Sequence, residues 1–128
     1  MYIINKYEKI PQTSILSKIL NNLQSFNIRG PDIYSDTVIF QETLIASENG
    51  AYFAKMQEDG NFVIYCSLDF VPSNSRWNSK TNNLSKGPYY LKLNETGNLA
   101  IYDANDSSLW SSNTYGKGIS PYKLKMDN

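Results

Sequence analysis

The chain has no histidine and a single cysteine, Cys66, in 128 residues. Without histidine there is no Ser-His-Asp triad, no imidazole acid–base chemistry and no histidine metal site. One cysteine forms neither an internal disulfide nor a multi-cysteine zinc site, and as a nucleophile it would lack its usual histidine partner. The residues call for no metal and no cofactor. Long apolar runs are also missing, so no stretch predicts insertion in a membrane. Polar residues break the N-terminus, Met1 to Lys6, before a signal-peptide apolar segment forms. This predicts a cytoplasmic protein, or one otherwise without a classical secretion signal. Twelve basic and twelve acidic side chains cancel, which argues against nucleic-acid binding through a bulk basic field.

What is present divides near residue 35. Between Thr13 and Phe26, Ile15, Leu16, Ile19, Leu20, Leu23 and Phe26 share one helical face, which predicts an amphipathic helix over about 13–26. Residues 1–35 are accordingly read as an N-terminal extension. From residue 36 to 128 the texture is short β-type runs between Gly, Asn, Asp and Ser clusters, the pattern of an all-β domain.

That domain repeats itself. Tyr52-Phe53-Ala54-Lys55-Met56-Gln57 aligns with Tyr89-Tyr90-Leu91-Lys92-Leu93-Asn94 and with Tyr122-Lys123-Leu124-Lys125-Met126-Asp127. Gly60-Asn61-Phe62-Val63-Ile64-Tyr65 aligns with Gly97-Asn98-Leu99-Ala100-Ile101-Tyr102, and Trp77-x-Ser79-x-Thr81 with Trp110-x-Ser112-x-Thr114. The unit reads as strand, tight turn, strand, loop and short Trp-bearing strand. Asn61 to Asn98 spans 37 positions and Trp77 to Trp110 spans 33, so the first repeat carries four extra residues in the loop Ser67–Ser75. Alternation along the strands directs Tyr52, Ala54, Met56, Phe62 and Ile64, with their counterparts and both tryptophans, to a shared core. It directs Asn61, Val63 and Tyr65 outward.

The outward residues belong to a larger pattern, Gln57-x-Asp59-x-Asn61-x-Val63-x-Tyr65. A carboxylate, two amides and a phenol gather round one turn beside an aliphatic patch. Sugar hydroxyls need such mixed donors and acceptors, and Val63 offers a surface for ring C–H groups. A bare hairpin explains Asp59-Gly60 as a turn and Val63 and Tyr65 as strand formers, but not Gln57 together with the rest. The motif QxDxNxVxY resembles that of the monocot mannose-binding, or bulb-type, lectins at all five positions. The resemblance implies a β-prism II fold with pseudo-threefold repeats and one tryptophan per sheet in the core. It also implies a carbohydrate-binding function directed at mannose or α-mannosides. Asp59 and Asn61 would bind the axial 2-hydroxyl, Gln57 the 3-hydroxyl and Tyr65 the 4-hydroxyl, with Val63 on the ring.

The second repeat keeps less of the motif. Asn94, Thr96, Asn98, Ala100 and Tyr102 occupy the five positions, and loss of the carboxylate removes a charge-assisted acceptor. Asn94, Asn98 and Tyr102 are left as a weak second site or as scaffold. The third repeat is incomplete, stopping at Asn128 before its turn, second strand and tryptophan. A homodimer exchanging strands, a longer chain or the N-terminal segment would each complete it. Plant relatives in the resembled family carry a disulfide with one Cys where Gly60 stands, and this chain departs from them there. The competing reading is a protein-interaction or structural prism, cytoskeleton- or vesicle-associated or bacteriocin-like, that has lost sugar binding. An enzyme is disfavoured: Glu58 and Asp59 are adjacent in sequence, point opposite ways and cannot flank one glycosidic bond.

Overall fold

The computed structural model describes residues 27–128. The helix expected over 13–26 lies outside them. Within the described residues the chain is all-β, with eleven strands: β1 (Asn27–Arg29), β2 (Asp32–Tyr34), β3 (Val38–Phe40), β4 (Thr43–Ala46), β5 (Phe53–Met56), β6 (Phe62–Tyr65), β7 (Ser75–Asn78), β8 (Tyr90–Leu93), β9 (Leu99–Tyr102), β10 (Ser108–Ser111) and β11 (Lys123–Lys125). Strands thus begin ahead of the boundary drawn at residue 35, since β1 and β2 are both built into sheets.

The hairpins form where the repeat places them. In β5–β6, Met56 pairs with Phe62 and Phe53 with Tyr65. In β8–β9, Leu93 pairs with Leu99 and Tyr90 with Tyr102. Each is closed by a glycine at positive φ, Gly60 at +91° and Gly97 at +86°, a conformation open to a residue without a Cβ. The Trp-bearing strands β7 and β10 then add to the far side of each hairpin.

Three sheets result, of five, four and two strands, in the orders β1-β4-β5-β6-β7, β10-β9-β8-β3 and β11-β2. They enclose one core, to which Ile45, Ala54, Met56 and Phe62 come from the first sheet, Ile39, Leu91 and Ile101 from the second and Ile33 from the third. This is the β-prism II arrangement. The third sheet is the incomplete one: Leu124 pairs with Ile33 across its only two strands among the described residues. Although only Gln41 and Glu42 separate β3 from β4, the two strands enter different sheets, because Glu42, at φ +67°, turns the chain out of one sheet and into the next.

Two core assignments change. Tyr52 is half-buried and stands apart from the central cluster, whereas its counterpart Tyr89 belongs to it. Trp110 packs on the core, but Trp77 remains 41% exposed. Trp77 meets Trp110 edge-on, with centroids 5.6 Å apart, and Phe62 at 6.3 Å. Both tryptophans of the sequence take part in this edge-on contact.

Candidate functional site

The β5–β6 turn draws the motif into a small polar cluster. Asp59 Oδ1 accepts from the backbone N–H of Asn61 at 2.9 Å and from Gln57 Nε2 at 3.1 Å. Tyr65 donates its hydroxyl to Gln57 Oε1 in a short hydrogen bond. Gln57, Asp59 and Tyr65 are therefore one connected unit, and Asp59 Oδ2 carries no hydrogen bond among the described residues. Burial first, and then the Asp59 charge, push the Tyr65 hydroxyl above its ordinary pKa and keep it protonated as a donor.

Asn61 is fixed from the other side, by residues whose role the sequence does not disclose. Its Oδ1 accepts from Ser79 Oγ at 3.2 Å and from the Thr81 backbone N–H at 3.3 Å. Thr81 Oγ1 donates to the Gly60 carbonyl at 2.6 Å and lies 2.7 Å from Ser79 Oγ, which also accepts from the Phe62 N–H at 2.9 Å. Asn61 Nδ2 reaches Asn78 Oδ1 at 3.4 Å. The Trp-x-Ser-x-Thr segment thus supplies, in Ser79 and Thr81, a buried clamp on the turn that bears the candidate site. Its recurrence in the sequence was the available signal, while its purpose emerges only from the pairing of β6 with β7.

The second repeat reproduces the clamp bond for bond. Ser112 Oγ and the Thr114 N–H donate to Asn98 Oδ1 at 3.2 and 3.3 Å, and Thr114 Oγ1 donates to the Gly97 carbonyl at 2.7 Å. Ser111 Oγ adds a further bond to Asn98 Oδ1 at 2.9 Å, and Asn98 is buried. Asn94 Nδ2 donates to the Tyr102 hydroxyl at 3.2 Å. The three residues named for a weak second site are thus drawn together, with Thr96 where the first repeat has its carboxylate. An open depression there is lined by Asp36, Lys92, Asn94, Glu95, Thr96, Tyr102 and Tyr115. A hydrogen bond with Asp36, and then the Asp36 charge, raise the Glu95 carboxyl above its ordinary pKa, with Lys92 opposing.

Val63 and Tyr65 point away from the core, as alternation requires, yet neither is open: Val63 is 3% and Tyr65 6% exposed. Phe70, from the longer loop of the first repeat, lies against Tyr65 with ring centroids 5.1 Å apart. The Lys55 ammonium sits 4.6 Å from the Phe70 centroid and 3.2 Å from Glu42 Oε2. The extra loop is legible in the sequence; where it puts its aromatic ring is not.

No protein-family model matches the chain, and no curated protein does. Solved structures do. A mannose-specific agglutinin from snowdrop (Galanthus nivalis) bulbs, complexed with methyl-α-D-mannoside, is 28% identical, with 68% of this chain and 72% of that one covered at a TM-score of 0.58. A lectin from Allium sativum is 27% identical over 74% and 83%, at 0.62. Polygonatum cyrtonema lectin, complexed with monomannoside, is 25% identical over 77% and 90%, at 0.59. The chain is similar to the monocot mannose-binding lectins, and its fold is that of carbohydrate-binding lectins. These relatives are described as lectins or agglutinins, in keeping with a binding protein and not an enzyme.

Proposed function

We propose that the protein is a non-catalytic lectin for mannose or α-mannosides, which binds through Gln57, Asp59, Asn61, Val63 and Tyr65. The observation that carries this reading is the connected cluster of Gln57, Asp59 and Tyr65 beside a clamped Asn61. Asp59 Oδ2 remains to accept from a sugar hydroxyl, Asn61 Nδ2 remains a donor with one long contact, and the Tyr65 oxygen can accept. Strand pairing and the Ser79–Thr81 clamp hold these atoms in place before a ligand arrives, which lowers the entropic cost of binding. One shallow site binds a monosaccharide weakly, so a homodimer that linked two sites would gain strength through avidity.

Titration calorimetry with mannose and an α-linked mannobiose tests the reading. Heat that saturates with wild type and disappears in a folded Asp59→Ala variant supports it. Absence of heat at high sugar concentration, from a protein with a β-rich circular dichroism spectrum, would refute it. The alternative, an interaction prism without sugar binding, draws on one observation, the burial of Val63 and Tyr65. It would then lead.

A further inference from the structure

The two repeats differ at the motif tyrosine, although both tyrosines carry an aromatic neighbour: Phe70 lies on Tyr65, and Tyr90 stacks on Tyr102 with centroids 5.0 Å apart. Tyr65 is buried under Phe70, while Tyr102, at the matching place in the second repeat, is half-buried and lines an open depression. The difference follows the four extra residues between Tyr65 and Trp77. Those residues form a braced loop. Asn74 Nδ2 donates to the Asp69 carbonyl at 2.8 Å, the Cys66 N–H donates to the Asn74 carbonyl at 3.0 Å, and Pro72–Asn74 forms a single 3-10 turn. The brace presents Phe70 to Tyr65, and Lys55, held by Glu42, lies against the same ring.

We propose that Phe70 is a self-capping residue of the saccharide site, occupying in the free protein the space over Tyr65 that a pyranose ring must enter, so that a mannoside binds by displacing it. The proposal rests on the reading of Gln57–Tyr65 as a sugar site. A cap of this kind divides the intrinsic affinity by the closed-to-open ratio, since only the open fraction binds. The ring contact with Tyr65 and the cation–π contact with Lys55 favour the closed form by an amount that corresponds to about tenfold in that ratio. The cap also confers selectivity, because a ligand that cannot replace the contacts Phe70 gives up leaves it closed.

The test is calorimetry with methyl-α-mannoside on wild type, Phe70→Ala and Phe70→Trp, each checked for an unchanged circular dichroism spectrum. Phe70→Ala is expected to bind about tenfold more tightly, and Phe70→Trp, with a larger ring on Tyr65, more weakly than wild type. Equal affinities in all three would overturn the cap while leaving the lectin reading intact. Weaker binding by Phe70→Ala would make the ring a wall on which the sugar rests, and would likewise overturn it. Binding by none of the three would remove the lectin reading and the cap together. Should Phe70→Ala fail to fold, Phe70→Leu, which keeps the apolar bulk and loses the ring contacts, is expected to tighten binding by a smaller factor, and unchanged affinity there would overturn the cap.

Discussion

The two oxygens of Asp59 have different work, and a single-atom substitution separates them. Oδ1 organises the turn through Asn61 and Gln57, while Oδ2 carries no hydrogen bond among the described residues and is the atom the lectin reading gives to the sugar. Asp59→Asn keeps a neutral acceptor for the turn but loses the charge, so its melting temperature should stay within about 2 °C of wild type. Its affinity for methyl-α-mannoside should fall at least about tenfold, the scale of a charge-assisted hydrogen bond. Calorimetry and a thermal melt on one sample check both parts. Tyr90 gives a prediction free of any ligand. Burial, and then its 2.7 Å hydrogen bond to Asp106, raise its hydroxyl to about 12 from the usual value of about 10. The folded state therefore favours the protonated phenol. The associated stability is complete below about pH 10 and is lost as the pH rises towards 12. Phe at this position removes that pH dependence, so the denaturation midpoint of Tyr90→Phe should fall less steeply than that of wild type between pH 10 and 12.

Among the elements, the Ser–Thr clamp has the same bonds in both repeats, and under the lectin reading only the clamp of the first repeat holds a turn with the full motif. Thr81→Val strips the donor from the Gly60 carbonyl and leaves a buried acceptor unpaired. A loss of about 1–3 kcal/mol is expected, together with weaker mannoside binding as Asn61 loosens. Thr114→Val breaks the equivalent bond to the Gly97 carbonyl, and should lower stability while leaving mannoside affinity unchanged. Denaturant melts paired with calorimetry read the difference. The hairpins themselves were legible because each carries its own turn glycine and its own alternation, and because the repeat shows each of them twice. The candidate site was legible for the same reason, since all five motif positions fall within nine residues of one hairpin. Strands β1 to β4 were not. They lie outside the aligned repeat units, and β3 finds its partner far along the chain, where Ile39 pairs with Leu91, while β1 runs parallel to β4 rather than forming a hairpin. Phe70 escaped because a loop residue's direction depends on cross-bracing, here by Asn74, that no periodicity records.

On the scale of the whole molecule, two sheets are built to four strands or more and the third to two among the described residues. Should a second copy of the chain, rather than the N-terminal segment or a longer chain, complete this sheet, its strands would enter at the groove beside it, where Leu93, Leu99, Tyr122 and Leu124 meet. Sedimentation equilibrium should then report a dimer. A monomer at every concentration would rule the arrangement out. The repeats are also joined more closely than their boundaries suggest. The ring of Tyr89, which opens the second repeat, lies where a Cβ on Gly60 would come within 2.9 Å of it, and Tyr122 stands to Gly97 in the same way, at 2.8 Å. Each turn therefore rests on a side chain lent by the unit that follows. The β5–β6 turn transplanted into another scaffold would have to travel as the whole stretch from Gln57 to Tyr89, and gene duplication or recombination within this architecture keeps a turn intact only when the crossover falls outside such a stretch.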